Sequence, residues 1–552
     1  MFYTVPDDTI LLGDAATMDI TLFYGLVLAT VLLLITCRRL AVVVTETFQL
    51  QFRRHLLYPL ILTRKSHIGS ITRLDSIYLL VFLGANGVIL GWTPHERDAI
   101  SRRASIMSLF NIFPLFLGGK TNPLISFVGI PLSKYYFVHH WLGRVAAVEA
   151  FIHLGISLSK AQGVSRDGVS LSGYSIAVAL TGIIISSLWF IRKLSYGAFS
   201  KGHTVFSAFV LGALIWHLLL LGSLFSRVLI LTAAAFWFTT TVFRLSRTLY
   251  YGIAAVDVRA DEQVVRAIVR PRRPLRVFPG CYFYLYFPAA SFRSRFRGYP
   301  INVAWWNADN PGSNYSSELV FLLYRQGTIS NLAKMDKSFQ RALLDGPYGR
   351  DLRLYEYENV ILAAKGQGIA GVLSHALHLA GRRLYDKQML EENPTGRPPY
   401  LDKTRKVDLF WVLEDNSQQK WVREELRSLQ NLDPYNRLLC IWCIYPSPRR
   451  RAPPFELNEY WRCFYPSPDS EFHQNGIAKE IGVGATSPGR SIVIACGEPL
   501  FTGRIRDVVI MNASMEYVEV EYRPMYSSQS PEQMNSVRPL WRRREREADS
   551  EA

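Results

Sequence analysis

Two apolar stretches of the chain carry histidines at one interval. Phe137 to His153 reads FVHHWLGRVAAVEAFIH, and Lys201 to His217 reads KGHTVFSAFVLGALIWH. His139 and His153 stand fourteen residues apart, and so do His203 and His217. On an α-helix fourteen residues rise about 21 Å, and their angular steps of about 100° end about 40° short of four full turns. Each stretch, as a helix, therefore presents one imidazole near each end of a hydrocarbon layer, both on nearly one face. Two imidazoles facing each other at one depth can ligate a haem iron axially. His139 lies level with His203 and His153 with His217, so the spacing predicts two b-type haems stacked across a bilayer. With both axial positions filled, such an iron carries electrons rather than binding oxygen. The alternative is that these histidines merely bond between helices, although ionisable groups inside membranes tend to mark function. His140 points about 100° away from His139 and has no mate at the same interval; it is expected to be a packing or interfacial residue. Arg144 is a candidate partner for a haem propionate, and Glu149 for a bond to another helix.

These residues need a membrane bundle to position them. Seven apolar runs qualify as spans, at about 19–37, 75–92, 104–119, 135–158, 171–191, 203–222 and 227–244. The third is short. Basic residues gather in the loops 38–74 (Arg38, Arg39, Arg53, Arg54, Arg64, Lys65, Arg73), 119–134 (Lys120, Lys134) and 192–202 (Arg192, Lys193, Lys201). Placing these loops in the cytoplasm puts the acidic N-terminus outside and everything after residue 244 inside. The net charge of +17 is thus largely a membrane-topology charge, and no nucleic-acid motif accompanies it; lipid is the expected partner and nucleic acid is not. The first seventeen residues hold three aspartates and no Lys or Arg, the wrong start for a signal peptide. The first apolar run reads as an anchor. Six scattered cysteines make no disulfide framework. Cys440 and Cys443 form a CxxC, but LLCIWCIY suits a buried strand better than a zinc half-site.

Beyond the spans the chain reads as soluble. From about 258 to 345, runs such as VVRAIVR, PGCYFYLYFP and ELVFLLYRQG alternate with turns, which predicts an antiparallel barrel. From about 356 apolar strands alternate with helices, which predicts a parallel α/β sheet. AAKGQGIAG places Gly366, Gly368 and Gly371 between a strand and a helix. Glycines there let a backbone approach a pyrophosphate at a helix N-terminus. The Pro-, Arg- and Ser-rich segment 444–490 is expected to be a loop insertion, and the tail from 527 disordered.

The motifs carry a resemblance. HHWLGR is similar to the His-x-Trp-Leu-Gly-Arg of the fungal ferric-chelate reductase transmembrane component family, within the ferric reductase and NADPH oxidase superfamily, with His139 in the ligand position. RRASIMSLFNIFPLFLGGKTNPLISFVGI resembles the segment before it, which supports the third span. The likeness runs over roughly residues 75–525, and His139, His153, His203 and His217 match the four ligand positions. PGCYFYLYFP resembles the Pro-Gly-Gln-Tyr strand of a flavin barrel, with Cys281 for Gln. Where the family has His-Pro-Phe-Thr or Ser against FAD, this chain has Tyr299, Pro300, Ile301 and Asn302, keeping only the proline. LLDGPYG matches Gly-Pro-Tyr-Gly, giving Gly346, Pro347 and Gly349 as nucleotide-binding positions beside Gly366, Gly368, Ile369 and Gly371. ACGEP matches Cys-Gly-x-Pro, which puts Cys496, Gly497 and Pro499 near a nicotinamide, with Cys496 as a catalytic candidate.

The resemblance implies a haem-bearing helical bundle, then a ferredoxin-reductase-like module of FAD barrel and α/β NADP domain. The expected divisions are 1–74 (span and basic loop), 75–245 (haem bundle), 246–350 (FAD barrel), 351–525 (NADP domain) and 526–552 (tail). It also implies an oxidoreductase: electrons pass from cytoplasmic NADPH through FAD and two haems to external ferric, and also cupric, chelates at the plasma membrane. A metal permease or oxidase would then act downstream. Two other outcomes stand beside it: a superoxide-generating NADPH oxidase, and a redox-inactive membrane regulator, which the altered flavin motif motivates.

Overall fold

The structure is a computed structural model. It describes residues 48–62, 71–91, 97–117, 132–160, 166–194, 196–221, 224–260, 264–287, 298–307, 315–324, 340–435, 437–446, 461–464, 472–512 and 515–520. The expected first span at 19–37 and the tail from 527 lie outside these. Residues 1–59 form one unit and 60–552 a second. In the first, a helical segment ends in a π-helical turn, Arg53–Leu57, with Phe48 and Phe52 stacked at 6.2 Å.

The second unit opens with a two-stranded ribbon, β1 (Leu60–Leu62) and β2 (Ile71–Thr72). Seven helices follow: α1 (Arg73–Gly91), α2 (Arg97–Leu117), α3 (Leu132–Lys160), α4 (Gly168–Ser186), the short α5 (Trp189–Leu194), α6 (Tyr196–Leu221) and α7 (Leu224–Tyr251). Five are long and apolar enough to cross a membrane: α1, α3, α4, α6 and α7. Helix α2, the short third span, is outside that set because Arg97, Asp98, Arg102 and Arg103 load its first turns. It packs along α3, and α4 packs along α6. The expected span 171–191 breaks at Ser187 and Leu188, whose amides bond back to carbonyls of the last turn of α4. Helix α7 outruns the expected end at 244 by seven residues and stops at Tyr251. Gly252, in the left-handed region at φ 68°, turns the chain into the first barrel strand.

That strand is β3 (Ile253–Ala260). β4 (Val264–Arg270), β5 (Leu275–Arg276), β6 (Tyr282–Tyr286), β7 (Tyr299–Asn302), β8 (Trp305–Asn307), β9 (Tyr315–Ser316), β10 (Glu318–Tyr324) and β11 (Gln340–Tyr348) follow. Seven of them make one antiparallel sheet in the order β7-β6-β11-β3-β4-β10-β8. Alternation along the strands turns Phe283, Leu285, Ile301, Phe321 and Leu344 into a shared core. The amide of Ala304 donates to the Val320 carbonyl at 2.9 Å, drawing the β7 side back toward β10.

The last part is a parallel sheet. Its members are β12 (Asn359–Lys365), α8 (Ile369–Glu392), β13 (Lys406–Val412), α9 (Arg423–Leu432), β14 (Leu439–Ile444), β15 (Trp461–Phe464), α10 (Phe472–Thr486), β16 (Ser491–Cys496), α11 (Pro499–Met511) and β17 (Met515–Glu519). Helices cover the sheet, so its central strands are apolar nearly throughout; β16 is buried at all six positions. The strand order is β15-β14-β13-β12-β16-β17. Segment 444–490 is therefore not a plain loop insertion: it contributes an edge strand beside β14 and the helix α10. The CxxC lies within β14, with Cys443 buried. Barrel and parallel sheet share one core, since Val264, Ile268, Trp305 and Leu322 of the barrel pack with Leu373, Leu409 and Leu426.

Candidate functional site

Three clusters gather the sequence-predicted residues. The first lies between α3 and α6. The rings of His139 and His203 meet edge-on, 5.9 Å between centroids and 64° between planes. Two imidazoles on opposite sides of one metal, with bonds of about 2 Å each, keep their centroids roughly 6 Å apart. The Nδ1 atoms of both rings are buried without a hydrogen-bond partner among the described residues. A buried polar atom in that state is costly. Tyr135 and Phe199 flank the pair, at 5.7 Å from His139 and 5.6 Å from His203.

The level of His153 and His217 is held differently. Nδ1 of His153 lies 3.1 Å from the Ser101 carbonyl and 3.0 Å from its hydroxyl. Nδ1 of His217 lies 3.1 Å from the Val169 carbonyl and 2.9 Å from Ser172 Oγ. The Ser172 hydroxyl donates to the same Val169 carbonyl, so it accepts from the ring. An Nδ1–H given to a carbonyl fixes the tautomer that leaves Nε2 as a free lone pair, which is how metal-ligating histidines are oriented. No cluster of three or more His, Cys, Asp or Glu suited to a metal ion occurs among the described residues. Two ligands per level are what an iron in a macrocycle needs, and the residues present fit haem at both levels. Ser101, Val169 and Ser172 escaped sequence reasoning, because a carbonyl acceptor leaves no residue-type signal. His140 is exposed and stacks on Tyr136 at 6.3 Å. The Arg144 guanidinium lies 4.8 Å over the Trp141 ring. Glu149, 3 % exposed, accepts from Asn111 of α2 at 2.8 Å.

The second cluster is the face where the barrel meets the bundle. Register places Tyr282 opposite Asn302 and Tyr284 opposite Pro300, while Ile301 turns into the barrel core. Pro300 and Asn302 are buried. Tyr284 and Tyr348 are buried with Tyr136 of α3, Tyr282 and Tyr286 packed on them. Flat aromatic systems stack on tyrosine rings, and Tyr282 and Tyr286, on the face they share with Pro300 and Asn302, are only half-buried. Asp345 anchors the face. It is 2 % exposed, accepts from Arg247 of α7 at 2.9 Å and from the Tyr348 hydroxyl at 2.6 Å, and lies 3.7 Å from Arg244. Burial and the Asp345 charge push the Tyr348 phenol above its ordinary range, so it stays a donor. Cys281, in the Gln position, is fully buried, and burial pushes its thiol up to about 12. Gly346, Pro347 and Gly349 end β11; a Cβ on Gly346 would meet the Phe283 ring at 2.6 Å.

The third cluster lies at the carboxyl ends of β12 and β16. Strand order reverses between these two, and open α/β sheets bind ligands at that switch point. Gly366 is in the left-handed region at φ 53°, and its carbonyl accepts from Trp411 Nε1 at 2.9 Å. A Cβ on Gly368 would collide with the Cys496 carbonyl, and one on Gly371 would come within 2.5 Å of Cys496 Sγ. These glycines bring helix α8, beginning at Ile369, against the end of β16. The Cys496 thiol is fully buried and faces Gly371. Gly497 and Pro499 complete the turn into α11, and Lys365 pairs with Glu498 across the crevice. A cleft of about 380 Å³ lies at the other end of the sheet, lined by Glu358, Arg383, Asp402, Arg405 and Leu438. Glu358, Arg405 and Leu438 immediately precede β12, β13 and β14, so it is not the switch-point crevice.

Fold and histidine levels define a class: a multi-pass membrane bundle followed by a ferredoxin-reductase-like module. Within it the chain matches two family models, "Ferric reductase like transmembrane component" over residues 104–214 and "Ferric reductase NAD binding domain" over residues 357–445. It resembles the fungal ferric reductase transmembrane components. "Ferric/cupric reductase transmembrane component 2" of Saccharomyces cerevisiae is 27 % identical over 56 % of this chain and 46 % of its own length. "Ferric/cupric reductase transmembrane component 1" of Candida albicans is 23 % identical over 69 % and 51 %. The chain spans about half the length of these relatives. The solved "Ferredoxin reductase in carbazole 1,9a-dioxygenase" aligns at 14 % identity over 49 % of this chain and 68 % of that one, with a TM-score of 0.32, too low to carry an argument.

Proposed function

We propose that the chain is a transmembrane oxidoreductase that moves electrons from a cytoplasmic reduced nicotinamide nucleotide to ferric, and also cupric, chelates outside the cell. The observation that carries this is the pair of histidine levels between α3 and α6, with the rings of the outer level oriented through Nδ1. FAD would supply the conversion of a hydride into single electrons, and haem iron a carrier that takes one at a time. His139 and His203 hold the inner b-type haem; His153 and His217 hold the outer one. Tyr282 and Tyr286 offer the flavin a stacking surface, and Pro300 and Asn302 lie on the same strand face. The glycine turn 366–371 and the segment 496–499 receive the nucleotide's phosphates and nicotinamide. The gathering of basic residues in loops 38–74, 119–134 and 192–202 supports an inner level and both soluble domains on the cytoplasmic side of a plasma membrane, with the reduced metal passing to a permease or oxidase. Family resemblance points to NADPH as donor.

The test is a reduced-minus-oxidised spectrum with flavin quantitation on the purified full chain and its variants. Alanine at His139, His153, His203 or His217 is expected to remove a haem signal, and His140→Ala to retain both. Haem retained in all four alanine variants would sink the ligand assignment. Haem that no nicotinamide nucleotide reduces would support a regulator instead. Superoxide release without chelate reduction by washed cells would support an oxidase.

A further inference from the structure

The cleft at the amino ends of the parallel strands has no part in the electron route. Its volume of about 380 Å³ is that of a small-molecule site. Leu379 and Leu438, both buried, give it an apolar floor. Its walls set three acids, Glu358, Asp386 and Asp402, beside three cations, Arg383, Lys403 and Arg405. The acids are committed. Asp402 accepts from Arg382 at 2.8 Å and 2.5 Å, one bond to each oxygen. Asp386 accepts from the Tyr400 and Leu401 amides at 3.0 Å each, again one per oxygen. Glu358 accepts from the Arg490 amide at 2.7 Å through Oε2 alone, and a carboxylate has room for further donors. The cations are exposed, and their side chains make no hydrogen bond or ion pair among the described residues.

Two of those cations stand on a loop that is fixed at each step. The Lys403 amide donates to the Tyr355 carbonyl at 2.9 Å, the Thr404 hydroxyl to the Leu354 carbonyl at 3.2 Å, and the Arg405 amide to the Glu358 carbonyl at 2.8 Å. The Arg382 guanidinium, holding Asp402, lies 3.9 Å over the Tyr400 ring. Just before them Leu401 is at φ 53°, in the left-handed region that a branched side chain rarely adopts. The Asp386 carboxylate, bonded to its amide, keeps it there. Strain of this kind persists where the surrounding bonds over-determine it, and it gathers at ligand clamps. The third cation, Arg383, projects from α8, one residue past Arg382.

We propose that this cleft binds a small phosphate monoester bearing hydroxyl groups, a sugar phosphate in class, at the end of the sheet opposite the nucleotide crevice. The phosphoryl oxygens accept from Arg383, Lys403 and Arg405, whose guanidinium forks and ammonium suit them in geometry and charge. The hydroxyls donate to the Glu358 carboxylate. The Arg490 amide, with Lys403 and Arg405 beyond it, holds that carboxyl below its ordinary range, so it is an acceptor at neutral pH. An anion without hydroxyls would use the cations and meet the Glu358 charge unrelieved. The acid beside the cations therefore selects the ester over free phosphate, by repulsion as well as by attraction. None of these residues belongs to the histidine levels, the tyrosine face or the glycine turn, so this site and the redox reading stand or fall separately.

The experiment is a calorimetric titration of the purified full chain with ribose 5-phosphate, inorganic phosphate and ribose, each with and without saturating NADPH. Ribose 5-phosphate is expected to bind saturably and at least about tenfold more tightly than inorganic phosphate, with ribose silent. Its binding is expected to be the same with NADPH present, since the crevice lies at the other end of the strands. Arg383→Ser, and Lys403→Ser with Arg405→Ser, are each expected to weaken it at least about tenfold. All three residues are exposed, so the melting temperature of these variants is expected to match wild type. Four results would each overturn the proposal: no saturable binding, inorganic phosphate bound as tightly as the ester, displacement by NADPH, or binding unchanged in both variants. The wild-type titrations decide the matter even if a variant fails to fold.

Discussion

Inside the bundle, Glu149 shows what a single buried charge demands. Its carboxylate accepts from Asn111, and the same Asn111 amide donates to Asn86 of α1 at 3.1 Å. Three helices are joined by three polar side chains where hydrocarbon surrounds them. Glu149→Gln keeps an acceptor for Asn111, so only a small change in stability is expected. Glu149→Leu removes one of the two acceptors of the Asn111 amide and is expected to cost about 1–3 kcal/mol. Thermal unfolding in one detergent tests both; equal losses would mean that the carboxyl group rather than the hydrogen bond matters. Sequence showed the glutamate but not its partners, because Asn111 lies on the span of weakest hydropathy and Asn86 carries no motif. The histidines were legible for the opposite reason: their interval is a multiple of the helix repeat.

Among elements, α8 on one side and β13 with α9 on the other carry opposing responses to pH. Burial pulls the imidazoles of His375 and His378 down, to about 3 and about 4. Their contribution to stability is full above the unfolded value of about 6.5 and is lost as pH falls toward the folded values. Burial pushes Asp408 up to about 6 and Glu425 up to about 7, against the pull of Lys406 and Arg266. Their contribution is full below about 4 and is lost as pH rises through 6 to 7. Between about pH 4.5 and 6.5 the two pairs oppose each other. Melting of the wild-type chain, followed by tryptophan fluorescence, should change little across that window. With Asn at both histidines the melting temperature should fall as pH rises; with Asp408→Asn and Glu425→Gln it should rise. Identical profiles in all three chains would refute the assignment. The α/β alternation was readable because parallel strands are continuously apolar. The edge strand β15 was not, since an edge strand is short and its Pro- and Arg-rich flanks read as loop. The end of α7 was missed because its last seven residues lie past the hydropathy signal, although they remain helical.

At the scale of the whole molecule, the bundle and the barrel are joined through Asp345. A carboxylate from β11 and two arginines from α7 meet on the tyrosine face, and the Arg247 guanidinium lies 4.7 Å over the Tyr348 ring. Removing one partner of a buried pair leaves the other charge uncompensated, typically at about 3–5 kcal/mol. Asp345→Ala is therefore expected to slow haem reduction by nicotinamide nucleotide while leaving haem content unchanged. Stopped-flow reduction beside a haem spectrum checks it; an unaltered rate would show that the contact does not set the distance between the domains. In the sequence this aspartate sat unremarked in LLDGPYG, because the glycines around it carried the recognised motif. Its partners stand about a hundred residues upstream, a separation only the fold closes.

Helix α7 passes into β3 through Gly252 alone, and the Asp345 cluster pins the barrel to the helix it hangs from. The barrel has no slack of its own and must follow that helix. A span in a bilayer thinner or thicker than its apolar length answers by tilting. Such a tilt would swing the barrel as a rigid lever, so acyl-chain length becomes a control on this chain that no binding site is needed to exert.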